Sequence, residues 1–399
     1  MCRVVVTGMG IITAIGNDVA ENYDALLNRK HGVGKISVLD TLHKDDLPAG
    51  EVRFSNDELA EIAGIQAPEL TSRTSLLAVI AAKQAFQSGI ALYGPADHTE
   101  TVLISSTTVG GMDKTEKFFN DYLQNSTYSH LLHTHDCSES TMQIADNLGL
   151  RHTNITLSTA CSSSLNAIML GAKMIKHGLA GRVIAGGSDA LSKFTLNGFN
   201  TLMILDKGHC RPMDASRTGL NLGEGAAYVV LESEQSAKKY NKKVLCEISG
   251  YANANDAYHQ TASSPDGYGP YLSMTEALDM SGLQPSDISY INAHGTGTDN
   301  NDLTEGLAIE KIFAPHFPMV SSTKPYTGHT LAAAGVVETI FSILTIQNQV
   351  MFPNLNFKNK IAELSFEPLT ELKYGRVDHV MTNSFGFGGN DSSIILSKY

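Results

Sequence analysis

Residues 155–177 read Ile-Thr-Leu-Ser-Thr-Ala-Cys-Ser-Ser-Ser-Leu-Asn-Ala-Ile-Met-Leu-Gly-Ala-Lys-Met-Ile-Lys-His: a short β-type run, then Cys161, then an apolar helix. The cysteine stands where the helix should begin. The first helical N–H groups have no partner within the helix, and the macrodipole adds about half a positive charge there, so the position favours a thiolate. Small residues from Ser158 to Ser164 leave room for a carbonyl to approach the sulfur, as at a nucleophile elbow. A buried packing cysteine between strand and helix is the plainer reading of this stretch taken alone.

The rest of the chain bounds the choice. Its 399 residues are too many for one ordinary domain, which points to two domains or two fused halves. Composition is that of a soluble α/β protein, with 42% hydrophobic residues, 18% charged residues and 35 glycines for turns and close backbone approaches. A net charge of −12 argues against a nucleic-acid binder, and an acidic partner would need a local basic patch. The five cysteines (Cys2, Cys137, Cys161, Cys210 and Cys246) form neither a CxxC pair nor a metal spacing, which fits a reducing cytoplasm. No cleavage signature opens the chain and no run approaches ~18 uninterrupted apolar residues, so an unprocessed protein without a membrane span is expected.

Arg3–Thr7 reads as a buried strand, with Gly8, Gly10 and Gly16 marking a turn-rich loop before a helix over 19–27. Gly8-Met9-Gly10 lacks the full GxGxxG spacing of a dinucleotide site. Residues 71–89 carry the apolar stripe of a buried helix, and strands are expected at 101–105, 182–185 and 228–232. His130, His133 and His135 lack the acidic and cysteine companions of a strong zinc site. The polar, basic run Lys238–Lys243 is the best junction, dividing the chain into halves 1–240 and 241–399. The second half repeats the plan of the first. Strands at 244–250, 288–292, 379–382 and 392–396 answer the earlier ones, and Ser322-Thr-Lys-Pro-Tyr-Thr-Gly-His329 with its apolar helix 331–346 echoes the Cys161 junction. An internal duplication follows, each half an α/β sheet between helices.

Two histidines stand in loops after strands, in Asn292-Ala-His294-Gly-Thr296-Gly-Thr298 and in Lys324-Pro-Tyr-Thr-Gly-His329. Either alone is more often a structural hydrogen-bonder. The flanking glycines and threonines leave space for a ligand and supply hydroxyls, and with Cys161 and the loop Asn383–Asp391 these residues end at corresponding edges of the two halves.

These motifs resemble those of the β-ketoacyl-acyl-carrier-protein synthases of the thiolase-like superfamily. The match covers 158–164 (cysteine motif), 292–305 (first histidine loop), 321–335 (lysine and second histidine) and 383–391 (phenylalanine-glycine loop), with Arg211-Pro212, Gly223-Glu224-Gly225 and Asp256-Ala-Tyr-His259 in the expected order. The resemblance implies a five-layered αβαβα fold. It implies that Cys161 accepts an acyl chain from a carrier-protein thioester while His294 and His329 act on malonyl thioester, with backbone N–H groups of Cys161 and Phe387 as oxyanion hole. It further implies Lys324 near His329 and Glu305, Phe387 as a gate, Glu305 and Asp256 as supporting carboxylates, and Thr296 and Thr298 as substrate-binding hydroxyls. No metal or cofactor is implied. A thiolase would carry a second cysteine near the carboxy end, the initiating synthases pair cysteine with one histidine and an asparagine, and a silent chain-length factor typically lacks the nucleophile.

Ser162-Ser163-Ser164, Asn221-Leu222 and Asn390-Asp391 depart from the housekeeping fatty-acid pattern and look more like the aryl-polyene and polyketide branch. Implied partners are an acyl carrier protein and either an identical chain or a chain-length-factor-like homologue in a dimer. Lys207, Arg211 and Arg217 are candidates for carrier docking, with a structural arginine role equally open.

Overall fold

The computed structural model describes residues 2–90, 101–125 and 127–399. Ten strands form its main sheet: β1 (Val4–Thr13), β2 (Thr101–Ser106), β3 (Asn154–Leu157), β4 (Arg182–Asp189), β5 (Gly225–Ser233), β6 (Cys246–Asn255), β7 (Tyr290–Asn292), β8 (Met319–Ser321), β9 (His379–Gly386) and β10 (Asn390–Ser397). Outward from the centre the order is β1-β5-β4-β2-β3 on one side and β6-β10-β9-β7-β8 on the other. Adding five to each label of the first half gives the second, and the pairing senses repeat as well. β5 is antiparallel to β1 and β4, as β10 is to β6 and β9; β2 is parallel to β3 and β4, as β7 is to β8 and β9. The halves join where Val4–Val6 of β1 pairs antiparallel with Cys246–Ile248 of β6.

Five helices complete the layers: α1 (Arg73–Gly89), α2 (Ser163–Lys176), α3 (Tyr268–Ser281), α4 (Asp299–Phe313) and α5 (Ala334–Asn348). α1 covers the outer face of the first half against β1 and β5, and α3 covers the outer face of the second against β6 and β10. Between the halves lie α2 and α5, packed on each other and on strands of both, which gives the αβαβα sandwich. Gly335 permits this contact, since a Cβ there would sit 3.1 Å from Leu165. α5 is buried through thirteen successive residues from Ala334 to Ile346 because both its faces meet protein. The stretch 331–348 is apolar and long enough to cross a membrane, but it is 89% buried within the fold. Leu165, Ile168, Val336, Ile340 and Phe341 form the centre of the middle core, each such fully buried side chain contributing roughly 1.5–3 kcal/mol.

One expectation is corrected. Gly8 and Gly10 do not open a loop; β1 runs through both to Thr13. They are glycines because α1 presses on the strand: a Cβ at Gly10 would lie 2.2 Å from Ala81 O, and one at Gly8 would lie 2.5 Å from Gly89 Cα. The run Lys238–Lys243 is ordered. Helix Glu234–Lys239 occupies its start, and Lys242 is buried, its Nζ donating to Glu232 at 2.7 Å and to Gly89 O at 2.8 Å.

Candidate active site

Cys161 sits in the turn between β3 and α2. Ala160 before it takes the left-handed conformation at φ 52°, a strained arrangement that turns the chain sharply and thrusts the next side chain out of the strand's line. Ser384 Oγ holds the turn from the opposite half by donating to Cys161 O at 2.8 Å. The duplicated junction delivers the partner: His329 follows β8 and precedes α5 as Cys161 follows β3 and precedes α2, and its Nε2 lies 3.0 Å from Cys161 Sγ. His294, after β7, stands edge-to-face with His329 at 5.4 Å between ring centres. One sulfur and one nitrogen from each ring all fall within 4.8 Å of one another.

Burial governs the charge of this cluster. The thiol of Cys161 is pushed up to about 11, mainly by desolvation, with Lys324 and the Phe387 N–H acting in the other direction. The expectation that the helix start favours a thiolate is therefore corrected: Cys161 is 6% exposed, and the cost of a buried anion outweighs the local dipoles. Both imidazoles are held well below the usual histidine range, first by desolvation and then by Lys324, so both are neutral at physiological pH.

Lys324 acts on His329 through its charge, but its hydrogen bonds go elsewhere. Its Nζ reaches Nδ1 of His294 at 3.2 Å, the carbonyl of His294 and the Glu338 carboxylate, and not Glu305. A lysine ammonium has only donors, so Nδ1 of His294 must accept and its Nε2 must carry the proton. Glu305 instead accepts the backbone N–H of His294 at 2.9 Å and of Gly295 at 2.8 Å, and the side-chain amide of Asn383 at 3.0 Å, which fixes the histidine loop from behind. Burial pushes its carboxyl up to about 6. Nδ1 of His329 meets no partner among the described residues, so no neighbour fixes that tautomer.

A cleft of about 300 Å³ leads from the surface to these three side chains. Thr296 and Thr298 line it, their hydroxyls 2.9 Å apart, as do Thr261 and Asn300. The N–H of Phe387 points at Cys161, and its ring stacks on Phe199 at 5.9 Å. Asp256 stands apart from the reacting atoms, accepting from Tyr258 N at 3.2 Å and Ser264 N at 2.8 Å. Of the docking candidates, Arg217 is spent on the carbonyls of Asp214, Thr298 and Asp299, Arg211 on Asp206 and Thr218, and Lys207 is exposed.

Sequence reading missed Glu338, although it is the one charged residue in α5 and a carboxylate in an otherwise apolar helix is a signal. It missed Asp189, which accepts from Thr107, Thr108 and the Ala332 N–H and so ties β4 to the start of α5. Asn390 is marked in the sequence only as a departure from the housekeeping pattern; in the fold its Oδ1 takes donors from Ser162 at 2.7 Å, Asn253 at 2.8 Å and Asn166 at 2.9 Å, fastening the phenylalanine-glycine loop to the nucleophile's helix.

A strained cysteine turn, two neutral histidines and a duplicated αβαβα frame together define a thiolase-like condensing enzyme. Comparison with known proteins gives the family. The model of the β-ketoacyl synthase N-terminal domain matches residues 1–237 and that of the C-terminal domain residues 245–358. The 3-oxoacyl-[acyl-carrier-protein] synthase 2 of Coxiella burnetii is 34% identical over 411 residues, covering 99% of this chain and 98% of its own. The ishigamide ketosynthase/chain length factor superposes with a TM-score of 0.92 at 27% identity, over 100% of this chain and 99% of that one. A type II polyketide acyl-carrier protein in complex with its ketosynthase gives 0.87 at 26% identity, over 100% of each chain. The chain belongs to the β-ketoacyl synthase family, and it is an acyltransferase-class condensing enzyme.

Proposed function

We propose that the protein catalyses the decarboxylative condensation of malonyl-carrier protein with an acyl chain held on Cys161, in fatty-acid or polyketide-type chain elongation. The observation that carries this reading is the convergence of Cys161, His294 and His329 within 4.8 Å at the foot of one cleft. In loading, the acyl carbonyl moves from the carrier's sulfur to Sγ. His329 Nε2, 3.0 Å from that sulfur, takes the thiol proton and passes it to the departing carrier thiol. The tetrahedral oxyanion is held by the N–H groups of Phe387 and Cys161.

Malonyl thioester then enters the same cleft. Loss of carbon dioxide leaves an enolate whose oxygen gains charge, and Nε2–H groups of His294 and His329 receive it, each such donor accounting for about 10²–10³ in rate. His329 can serve as acceptor in the first step and donor in the second because nothing fixes its tautomer, whereas Lys324 commits His294 to donation. The carbanion attacks the acyl-cysteine, the Cys161 thiolate departs and is reprotonated, and the extended β-ketoacyl chain stays on the carrier. Thr296 and Thr298 hold the carrier's pantetheine arm, and Phe387 gates the sulfur.

The two halves, 1–240 and 241–399, act as one catalytic unit within a dimer. The partner is an identical chain or a chain-length-factor-like homologue, as the ishigamide ketosynthase has. β3 supports this, being a half-buried sheet edge against which the helix Cys137–Leu148 packs with its Met142 exposed, whereas Val320 of β8 at the opposite edge is paired to Leu369. The cysteine set and acidic charge fit the cytoplasm.

Incubating the pure protein with acyl- and malonyl-carrier protein tests the reading. A β-ketoacyl product and an acyl adduct on Cys161 are expected. Absence of both would leave the chain a silent partner subunit that shapes chain length.

A further inference from the structure

Asp391 is the second residue of β10, just after the loop that carries Phe387. It is fully buried, and neither carboxyl oxygen finds a hydrogen-bond partner among the described residues. A buried carboxylate left in that state costs several kcal/mol, so the site asks either for a compensating cation or for a proton. The charged groups that face Asp391 are Asp256, at the end of β6, and Glu305, on α4, and both are acidic. Burial, then these two neighbours, push its carboxyl up to about 8.

The surroundings leave little room to relax. Gly269, in the first turn of α3, lies where a Cβ would come within 2.0 Å of Asp391 Oδ2 and 3.0 Å of Asp256 Cβ. At Gly389 a Cβ would lie 2.3 Å from Asp256 Oδ1. Two chain segments therefore close on each other around this pair of carboxyls. One is the turn Phe387-Gly388-Gly389, whose glycines take φ of 86° and 73°. The other is 256–264, held in shape by the Asp256 carboxylate on Tyr258 N and Ser264 N, and contributing Thr261–Ser263 to the cleft. They touch directly: Gly388 N donates to Gln260 O at 2.8 Å, and Asn255 Nδ2 donates to Gly388 O at 2.9 Å.

We propose that Asp391, as a neutral carboxylic acid, is the positioning residue that lets the Phe387 loop close on segment 256–264, and that its ionisation separates the two and limits acyl loading on the alkaline side. The proton goes to solvent, and the new charge is repelled by Asp256 and Glu305. The loop then swings away from Asp256, taking with it the Phe387 N–H aimed at Cys161. This deepens the reading of the cleft as the acyl-loading site and rests on it.

Asp391→Asn keeps the shape and removes the charge at every pH, so comparison with the unaltered protein isolates the proton. Two measurements are made from pH 5 to 9: the thermal midpoint, and the rate of Cys161 acylation from an acyl-pantetheine thioester by intact mass. A carboxyl whose folded pKa lies above its unfolded value costs the fold stability as pH rises between the two. The midpoint of Asp391→Asn minus that of the unaltered protein is therefore expected to widen as pH climbs from about 4 towards 8 and then level off. The acylation rate of the unaltered protein divided by that of Asp391→Asn is expected to fall through pH 8. Asp256→Asn removes a charge that raises the Asp391 carboxyl, so it is expected to move the fall in acylation to lower pH, and it serves if Asp391→Asn does not fold. A midpoint difference independent of pH, or acylation profiles that run parallel, overturns the proposal. Absence of acylation in every variant would instead overturn the loading reading, and the midpoints would still decide whether Asp391 is held as the acid.

Discussion

The Nζ of Lys324 lies 3.2 Å from Nδ1 of His294, and that contact decides which nitrogen of the imidazole faces the substrate. With Nδ1 engaged by a donor, the proton stands on Nε2. Lys324→Met should free the tautomer and lower malonyl decarboxylation by about a hundredfold or more, with a smaller effect on acylation of Cys161. The same change strands Glu338, so Lys324→Met with Glu338→Gln is the better-folded comparison. If the double variant decarboxylates at the unaltered rate, the tautomer argument fails.

Cys161 and His329 share one contact but divide the reaction. Cys161→Ala should abolish acyl transfer outright. His329→Ala should slow malonyl decarboxylation more than acyl loading, because loading needs only a proton relay that water can replace, whereas the enolate loses one of its two donors. Measuring the half-reactions separately, by radiolabelled carbon dioxide release and by intact mass, checks this. Equal loss in both would contradict the division.

The thiol of Cys161, pushed up to about 11, should behave as a buried thiol in the free protein. Alkylation by iodoacetamide is expected to keep rising by about tenfold per pH unit through pH 9, following the thiolate fraction. A plateau near neutral pH would show that local dipoles outweigh burial after all.

Arg73, at the start of α1, and Glu224, just before β5, form a buried bidentate pair with Nη2–Oε1 at 2.7 Å and Nε–Oε2 at 3.0 Å. Glu224 also accepts the N–H groups of Val52 and Leu191. Glu224→Ala leaves the guanidinium uncompensated and should cost about 3–5 kcal/mol, read as a lower midpoint in urea. A loss within a few tenths of a kcal/mol would mean that the pair is solvated.

Much of this arrangement is legible in the chain. Strand-forming runs at 182–185 and 228–232 and the helices at 19–27 and 71–89 carry their own periodicity, and the echo of the Cys161 junction in Ser322–His329 reveals the duplication before any coordinate is known. His294 and His329 are legible because glycines and threonines cluster around them. What sequence hides is contact between segments far apart. The pairing of Lys324 with Glu338 instead of Glu305 depends on which face of α5 turns towards the histidine loop. The length of β1 is obscured because Gly8 and Gly10 look like turn residues until α1 is packed on them. Burial of Lys242 is invisible in a polar run, since its partners Glu232 and Gly89 O lie in other elements. The state of the Cys161 thiol is hidden for a related reason: the helix start is local, whereas desolvation is the work of both halves.

Intact-mass analysis of a single turnover tests the central claim most directly. Acyl-carrier protein alone should add one acyl group to the protein, at Cys161. Malonyl-carrier protein should then discharge that adduct as carbon dioxide is released and a β-ketoacyl-carrier protein appears. An adduct that forms on another residue, or that malonyl-carrier protein fails to discharge, would contradict the assignment of Cys161, His294 and His329 to one condensing site.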